Sequence, residues 1–127
     1  MLWGNELADN FPTIGYGDVM ESETGVLAWL HMLHDYGVSL IRNAPTLPDQ
    51  VTRIAGRIGP LRETKFGRQF DVVSMVEPNS NAYTAIHIDC HSDLPNWTLP
   101  PGLQFLHCLK NSAQGGGTML VNAVRVS

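Results

Sequence analysis

The segment His87-Ile88-Asp89-Cys90-His91-Ser92-Asp93 places an imidazole or a carboxylate at every second position. Side chains of an extended strand alternate between its two faces, so His87, Asp89, His91 and Asp93 are predicted to line one surface while Ile88 and Cys90 pack on the other. A histidine and an aspartate two residues apart can grip one cation from adjacent directions. The same alternation also describes the polar outer face of a half-exposed strand, and for an isolated His-x-Asp that plainer reading carries more weight. Both readings make the segment a strand and the chain around it β-rich.

Working outward, strands are predicted over 70–76, 83–90, 103–109 and 118–121, separated by clusters of Pro, Asn, Ser and Gly. Pro95 and Pro100-Pro101 forbid regular pairing between Asp93 and Gly102, so a loop must leave directly from the His-x-Asp site. The other half reads as helix, strand, helix after an irregular Pro/Gly-containing start. Ser22 and Glu23 sit where a cap and a first-turn acid belong, Val26, Leu27, Trp29, Leu30 and Leu33 follow at helical spacing, and Gly37 closes the helix. The run 38–41 reads as a short strand. Pro48-Asp49 then opens a second helix with Val51, Ile54, Ala55 and Ile58 as its apolar positions, ending at Gly59-Pro60. His31, His34 and Asp35 lie mainly off the first helix's apolar stripe and read as a solvated face. The expected class is α+β, as one domain over 1–127 with a helix-strand-helix portion, 1–65, and a β-rich portion, 66–127.

Composition narrows the function classes. With 127 residues, 43% hydrophobic and 16% charged, the chain suits one domain with a modest core. A net charge of -4, from 8 Lys+Arg against 12 Asp+Glu without clustering, supplies no basic stripe for a phosphate backbone, so no nucleic-acid partner is expected. No apolar run has the length of a membrane span, and the first residues lack the basic-then-apolar layout of a signal peptide, so a cytoplasmic protein with no membrane partner is expected. Cys90 and Cys108 lie in strand-like apolar runs and are read as reduced core thiols.

Several blocks recur in a recognisable order: Phe66-Gly67-x-x-Phe70-Asp71-Val72, Asn81-Ala82-Tyr83-Thr84, His91-Ser92-Asp93-x-Pro95, the run from Pro101 to Leu109, and Gly115-Gly116-Gly117-Thr118-x-Leu120-Val121. Together with Trp29-Leu30, Asp35-Tyr36-Gly37-Val38 and Ile58-Gly59-Pro60-Leu61-Arg62-x-Thr64, they resemble the γ-butyrobetaine and trimethyllysine dioxygenase group of the taurine-dioxygenase-like Fe(II)/2-oxoglutarate oxygenases. The resemblance implies a double-stranded β-helix of jelly-roll type, here partial and preceded by two helices. It also implies hydroxylation of a small betaine-like or carboxylate-bearing metabolite, with Fe(II) and 2-oxoglutarate as cofactors. His-x-Asp supplies two members of the 2-His-1-carboxylate triad of such enzymes.

The resemblance also selects among the candidates. It places the metal ligands on His91 and Asp93 and leaves His87 and Asp89 in supporting roles, Asp89 being a candidate to accept the other ring N–H of His91. It assigns the 2-oxoglutarate carboxylate to the hydroxyl of Thr118, and the substrate to Phe66, Phe70, Tyr83 and Leu94. Aromatic rings there would attract a trimethylammonium group by cation–π interaction, which Leu94 does not supply. Phe66 and Phe70 can equally be core residues flanking a strand start.

The family's second histidine and its 2-oxoglutarate arginine lie farther along than Ser127, and His107 does not match the ligand position. The ending, where Val121-Asn122-Ala123-Val124 departs from the family's pattern, reads as a truncated or frame-disrupted frame. The expectation is therefore a polypeptide that is inactive or weakly active alone, in a homodimer, intertwined or simply paired, that covers the open strand edges of an incomplete jelly roll. The alternative from another class is a non-catalytic oligomeric α+β binding module, in which His91 and Asp93 are ordinary polar groups.

Overall fold

The Ser22 hydroxyl accepts from the backbone N–H of Gly25 at 3.1 Å, satisfying one of the orphan donors at the start of the helix Glu23–Tyr36. At the other end Gly37 has φ 72° and donates its N–H to the Leu33 carbonyl at 2.9 Å, the left-handed turn that only glycine adopts cheaply. The sequence-predicted helix is thus present with both of its predicted ends. The computed structural model describes residues 1–73, 87–112 and 117–126. Its chain divides into two compact units, Met1–Pro60 with Phe105–Ser127, and Leu61–Gln104.

In the first unit the described elements run as a 3-10 helix Asn5–Asn10, strand β1 Thr13–Gly15, helix α1 Tyr16–Glu21, helix α2 Glu23–Tyr36, strand β2 Leu40–Arg42, helix α3 Gln50–Ala55 and a terminal turn of helix, α4, Ala123–Val126. β1 and β2 pair in parallel, Ile14 opposite Ile41, and the α1–α2 pair forms the crossover that a parallel pairing requires. The start of the chain, expected to be irregular, therefore holds three elements. A three-residue strand and a six-residue helix are too short to display the periodicity by which such elements are recognised.

The core gathers Ile14, Val19, Trp29 and Ile54, with Tyr16, Met20, Met32, Leu33, Ile41, Ile58 and Phe105 packed against it. Trp29 is 1% exposed, its indole N–H donates to Ser39 Oγ at 2.9 Å, and its ring meets Phe105 edge-on at 5.9 Å. Gln50, buried at the start of α3, accepts from the Tyr16 hydroxyl at 2.8 Å, so its carbonyl is not left unsatisfied. Arg57 ties the end of α1 to this layer by donating to the Val19 carbonyl at 3.0 Å and pairing with Glu23 at 2.6 Å. The predicted second helix is shorter than its apolar pattern suggested, because the chain passes from α3 into turns at Gly56 rather than at Gly59-Pro60.

The structure departs from the sequence reading in three further places. Residues 103–109 and 118–121, expected as strands, carry no ladder pairing among the described residues. A strand is defined by a neighbour that takes up its backbone groups; residues 74–76 and 83–86 of the runs expected at 70–76 and 83–90 lie outside the described residues. Residues 87–93 likewise form no ladder in the described part. Cys90 and Cys108 are free thiols as expected, but exposed rather than in the core. None of the described helices is long and apolar enough to cross a membrane.

Candidate metal-binding site

The site lies in the unit Leu61–Gln104. The extended spacing of His-x-Asp brings the side chains together without a sheet: His91 Nε2 stands 3.2 Å from Asp93 Oδ1, and His87 Nε2 stands 3.3 Å from Asp89 Oδ1. The two pairs differ in how they are held. His91 Nδ1 meets the backbone carbonyl of Asp89 at 2.7 Å, and because a carbonyl oxygen only accepts, that nitrogen must carry its proton. The Nε2 atom is then the one turned to the Asp93 carboxylate. The supporting role expected of Asp89 is thus performed by its main chain, while its own carboxylate is 98% exposed.

Asp93 is also gripped from the other side, where Gln104 donates its amide N–H to Oδ2 at 2.6 Å. The His91 and Asp93 side chains are 56% and 52% exposed, open to solute yet less so than His87 and Asp89. The hydrogen bond to the Asp89 carbonyl raises the His91 pKa above the ordinary histidine value, and the Asp93 charge adds to the effect, against partial desolvation. Two groups that both accept at their facing atoms need a shared cation, either a proton on Nε2 or a metal ion. A divalent ion with N and O preferences fits the same donor pair. No group of three or more His, Cys, Asp or Glu positioned for a metal forms among the described residues, so the chain's described part supplies these two donors.

The loop predicted to leave from Asp93 does so at once. Leu94 has φ 51°, a left-handed conformation that costs a residue with a β-carbon about 1–2 kcal/mol and is tolerated where surrounding structure fixes it. The Leu94 carbonyl then accepts from Trp97 N at 3.3 Å. Arg62 lies 5.4 Å from the centre of the Trp97 ring and donates to the carbonyls of Leu99 and Pro100, so one side chain braces the whole 97–100 stretch.

Of the residues expected at the substrate, Phe66 and Phe70 come together, with ring centres 5.3 Å apart and planes inclined by 39°. Both are exposed, so they are not core residues in this structure. A tight bridge positions Phe66: Thr64 N donates to Gly67 O at 3.1 Å, Gly67 N to Thr64 O at 2.9 Å, and Phe66 N to Thr64 Oγ1 at 3.1 Å. The Lys65 ammonium lies 5.0 Å from the Phe66 ring centre, which shows that the ring face is open to a cation. Leu94 is half-buried beside the ligand pair in sequence. Tyr83 lies outside the described residues. Thr118 belongs to the other unit and is exposed there, as part of an irregular segment. His107, also in that unit, has a buried Nε2 without a hydrogen-bond partner among the described residues.

One contributor escaped the sequence reading. Gln104 stood inside an apolar run without an assigned role, although a lone amide interrupting Leu103-x-Phe105-Leu106 was a usable signal.

Comparison with known proteins supports the resemblance carried by the sequence blocks. The sequence model of the taurine catabolism dioxygenase TauD, TfdA family matches residues 3–127. The chain is 41% identical over 118 residues to the gamma-butyrobetaine dioxygenase of Pseudomonas sp. (strain AK-1), covering 93% of this chain and 31% of that protein. Identity to the gamma-butyrobetaine dioxygenase of Homo sapiens is 32% over 124 residues, covering 98% and 32%. For the mitochondrial trimethyllysine dioxygenase of Rattus norvegicus it is 30% over 124 residues, covering 96% and 30%. The chain therefore spans about a third of the length of the curated relatives it matches. No solved structure matches. A family match over nearly the whole sequence means that this protein belongs to the taurine catabolism dioxygenase TauD, TfdA family.

Proposed function

We propose that this chain carries the His-x-Asp portion of the catalytic domain of an Fe(II)- and 2-oxoglutarate-dependent dioxygenase of jelly-roll type, acting on a small betaine-like or carboxylate-bearing metabolite. The observation that carries the reading is the pairing of His91 Nε2 with Asp93 Oδ1 at 3.2 Å, with the other ring nitrogen committed to the Asp89 carbonyl. Metal-binding histidines are oriented in this way, their second N–H given to a carbonyl or carboxylate so that the free nitrogen faces the ion.

In this reading His91 and Asp93 hold the iron. Iron and 2-oxoglutarate, when bound, supply the activation of dioxygen needed to hydroxylate an unreactive C–H bond. The chain's own residues bind and orient. The Thr118 hydroxyl is assigned to the cosubstrate carboxylate, and the Phe66 and Phe70 rings, whose faces accept a cation, are assigned with Tyr83 and Leu94 to the substrate. The names of the relatives support a betaine-type substrate, and the Lys65 ammonium over Phe66 supports the cation preference of that ring. The expected homodimer belongs to the same proposal and is supported by the exposed apolar side chains of Leu106, Met119, Val124 and Val126.

Calorimetric titration of the metal-free protein with Mn(II), a redox-stable stand-in for Fe(II), tests the site. Binding by the wild type that is lost in both His91→Ala and Asp93→Ala, with circular dichroism unchanged, is the expected result. Binding that survives both substitutions would overturn it and favour a non-catalytic binding module.

A further inference from the structure

Residues 87–93 contain two His-x-Asp pairs of nearly equal spacing, at 3.2 and 3.3 Å, yet they are not equally built. In the His87 pair the Asp89 carboxylate is almost wholly in solvent. In the His91 pair each partner is held at its far side, His91 by a carbonyl and Asp93 by the Gln104 amide. The terminal torsion of an aspartate is broad and roughly two-fold, so which oxygen faces His91, and at what angle, is not set by the residue itself. A second contact must set it.

Gln104 makes that contact. A carboxylate oxygen only accepts, so the NH2 group of Gln104 is the partner of Oδ2, and a 2.6 Å approach marks a charge-assisted bond. The two residues are eleven apart, and the chain returns because the intervening loop is itself restrained. Leu94 turns it, Trp97 closes on the Leu94 carbonyl, and Arg62 braces Trp97 and the carbonyls of Leu99 and Pro100. The loop thus delivers a single neutral donor to the outer oxygen of the carboxylate. A lysine or arginine there would neutralise the charge that a cation needs, whereas an amide orients the group and leaves its charge in place.

We propose that Gln104 is the positioning residue of this site, taking Asp93 Oδ2 through its side-chain amide so that Oδ1 is turned to His91 Nε2 and the two donors converge on one divalent ion. The inference rests on the reading of His91 and Asp93 as the metal-holding pair, and it assigns the difference between the two His-x-Asp pairs to a residue outside both.

Two measurements on the full chain test it. In the metal-free protein, NMR of the Gln104 side-chain amide is expected to show protons displaced from those of solvent-exposed amides, and Asp93→Ala is expected to return them to the ordinary position. In a Mn(II) titration, Gln104→Leu is expected to weaken binding by roughly 10–100-fold, the loss usual when the partner of a metal ligand is removed. The far-ultraviolet circular dichroism and melting temperature of Gln104→Leu are expected to match the wild type, an outcome that a general loss of folding would not produce. An amide signal indifferent to Asp93→Ala, or Mn(II) affinity indifferent to Gln104→Leu, overturns the proposal. Should the wild type bind no Mn(II), the assignment of His91 and Asp93 to a metal fails, and the amide measurement still decides whether Gln104 fixes Asp93.

Discussion

Replacing Trp29 tests whether the first unit is held by the core described above. Among the described residues Trp29 is the largest fully buried side chain, and it joins α2 to Ile14 of β1, Val19 of α1 and Ile54 of α3. Trp29→Ala removes the ring, opens a cavity that small surrounding side chains cannot fill, and leaves the Ser39 hydroxyl without its donor. The cost of such a truncation is about 3–5 kcal/mol. Domains of this size have total stabilities of roughly 5–15 kcal/mol, so the variant is expected to be largely unfolded or to melt far below the wild type. Trp29→Phe separates the contributions. It keeps an aromatic edge against Phe105 but loses the 2.9 Å bond to Ser39, worth about 0.5–1.5 kcal/mol, and part of the packing, for a total of about 1–2 kcal/mol. Ser39→Ala added to Trp29→Phe is expected to cost almost nothing more, because the shared hydrogen bond is already gone. Urea denaturation followed by far-ultraviolet circular dichroism gives all four midpoints. A Trp29→Ala midpoint within error of the wild type would refute the placement of this residue at the centre of the core.

Two further outcomes are expected. Gly25 lies inside α2, where helix propensity alone predicts that Gly→Ala stabilises by about 1 kcal/mol. An added Cβ would stand 2.0 Å from the Asp18 carbonyl oxygen and 2.6 Å from its carbon, and both are main-chain atoms that cannot rotate away, so Gly25→Ala is expected to lower the melting temperature. A raised melting temperature would show that α1 does not pack on α2 as described. Glu6 has its pKa lowered below the ordinary 4.5, first by backbone hydrogen bonds at Glu6 and Gly4 and then by Arg125 at 3.1 Å. A lowered folded-state value means that this stabilisation is present above the unfolded value and is lost as pH falls through the folded one. The small advantage of the wild type over Glu6→Gln in urea at neutral pH is therefore expected to vanish in acid, and an advantage that persists there would contradict the assignment.

Legibility varied with the range of the interaction. The first predicted helix was readable to the residue at both ends because its caps are local: a hydroxyl three residues before an N–H, and a glycine one step past the last turn. The proximity of His91 to Asp93 was readable because spacing two along an extended chain suffices to bring the groups together, with or without a sheet. The β-rich assignment of residues 103–109 and 118–121 was not met in the described residues, since alternation marks a segment able to pair but not the neighbour it pairs with. The parallel β1–β2 ladder went unseen at its first strand for a related reason. Thr13-Ile14-Gly15 has too few residues for a pattern, and its status as a strand depends on Leu40–Arg42 returning beside it.

By itself the sequence determined the family, the order of blocks that carries it, and the cap and close of α2. These are encoded in residue identity at fixed local spacing. Only the tertiary structure decided that the Asp89 main chain, not its carboxylate, fixes the His91 ring, that Gln104 returns across a proline-rich loop to hold Asp93, that Phe66 and Phe70 form an exposed pair, and that Gly25 is required by the approach of α1. Each depends on where a backbone group or a distant residue comes to rest in space, and that placement follows from packing and loop restraint rather than from the letters on either side.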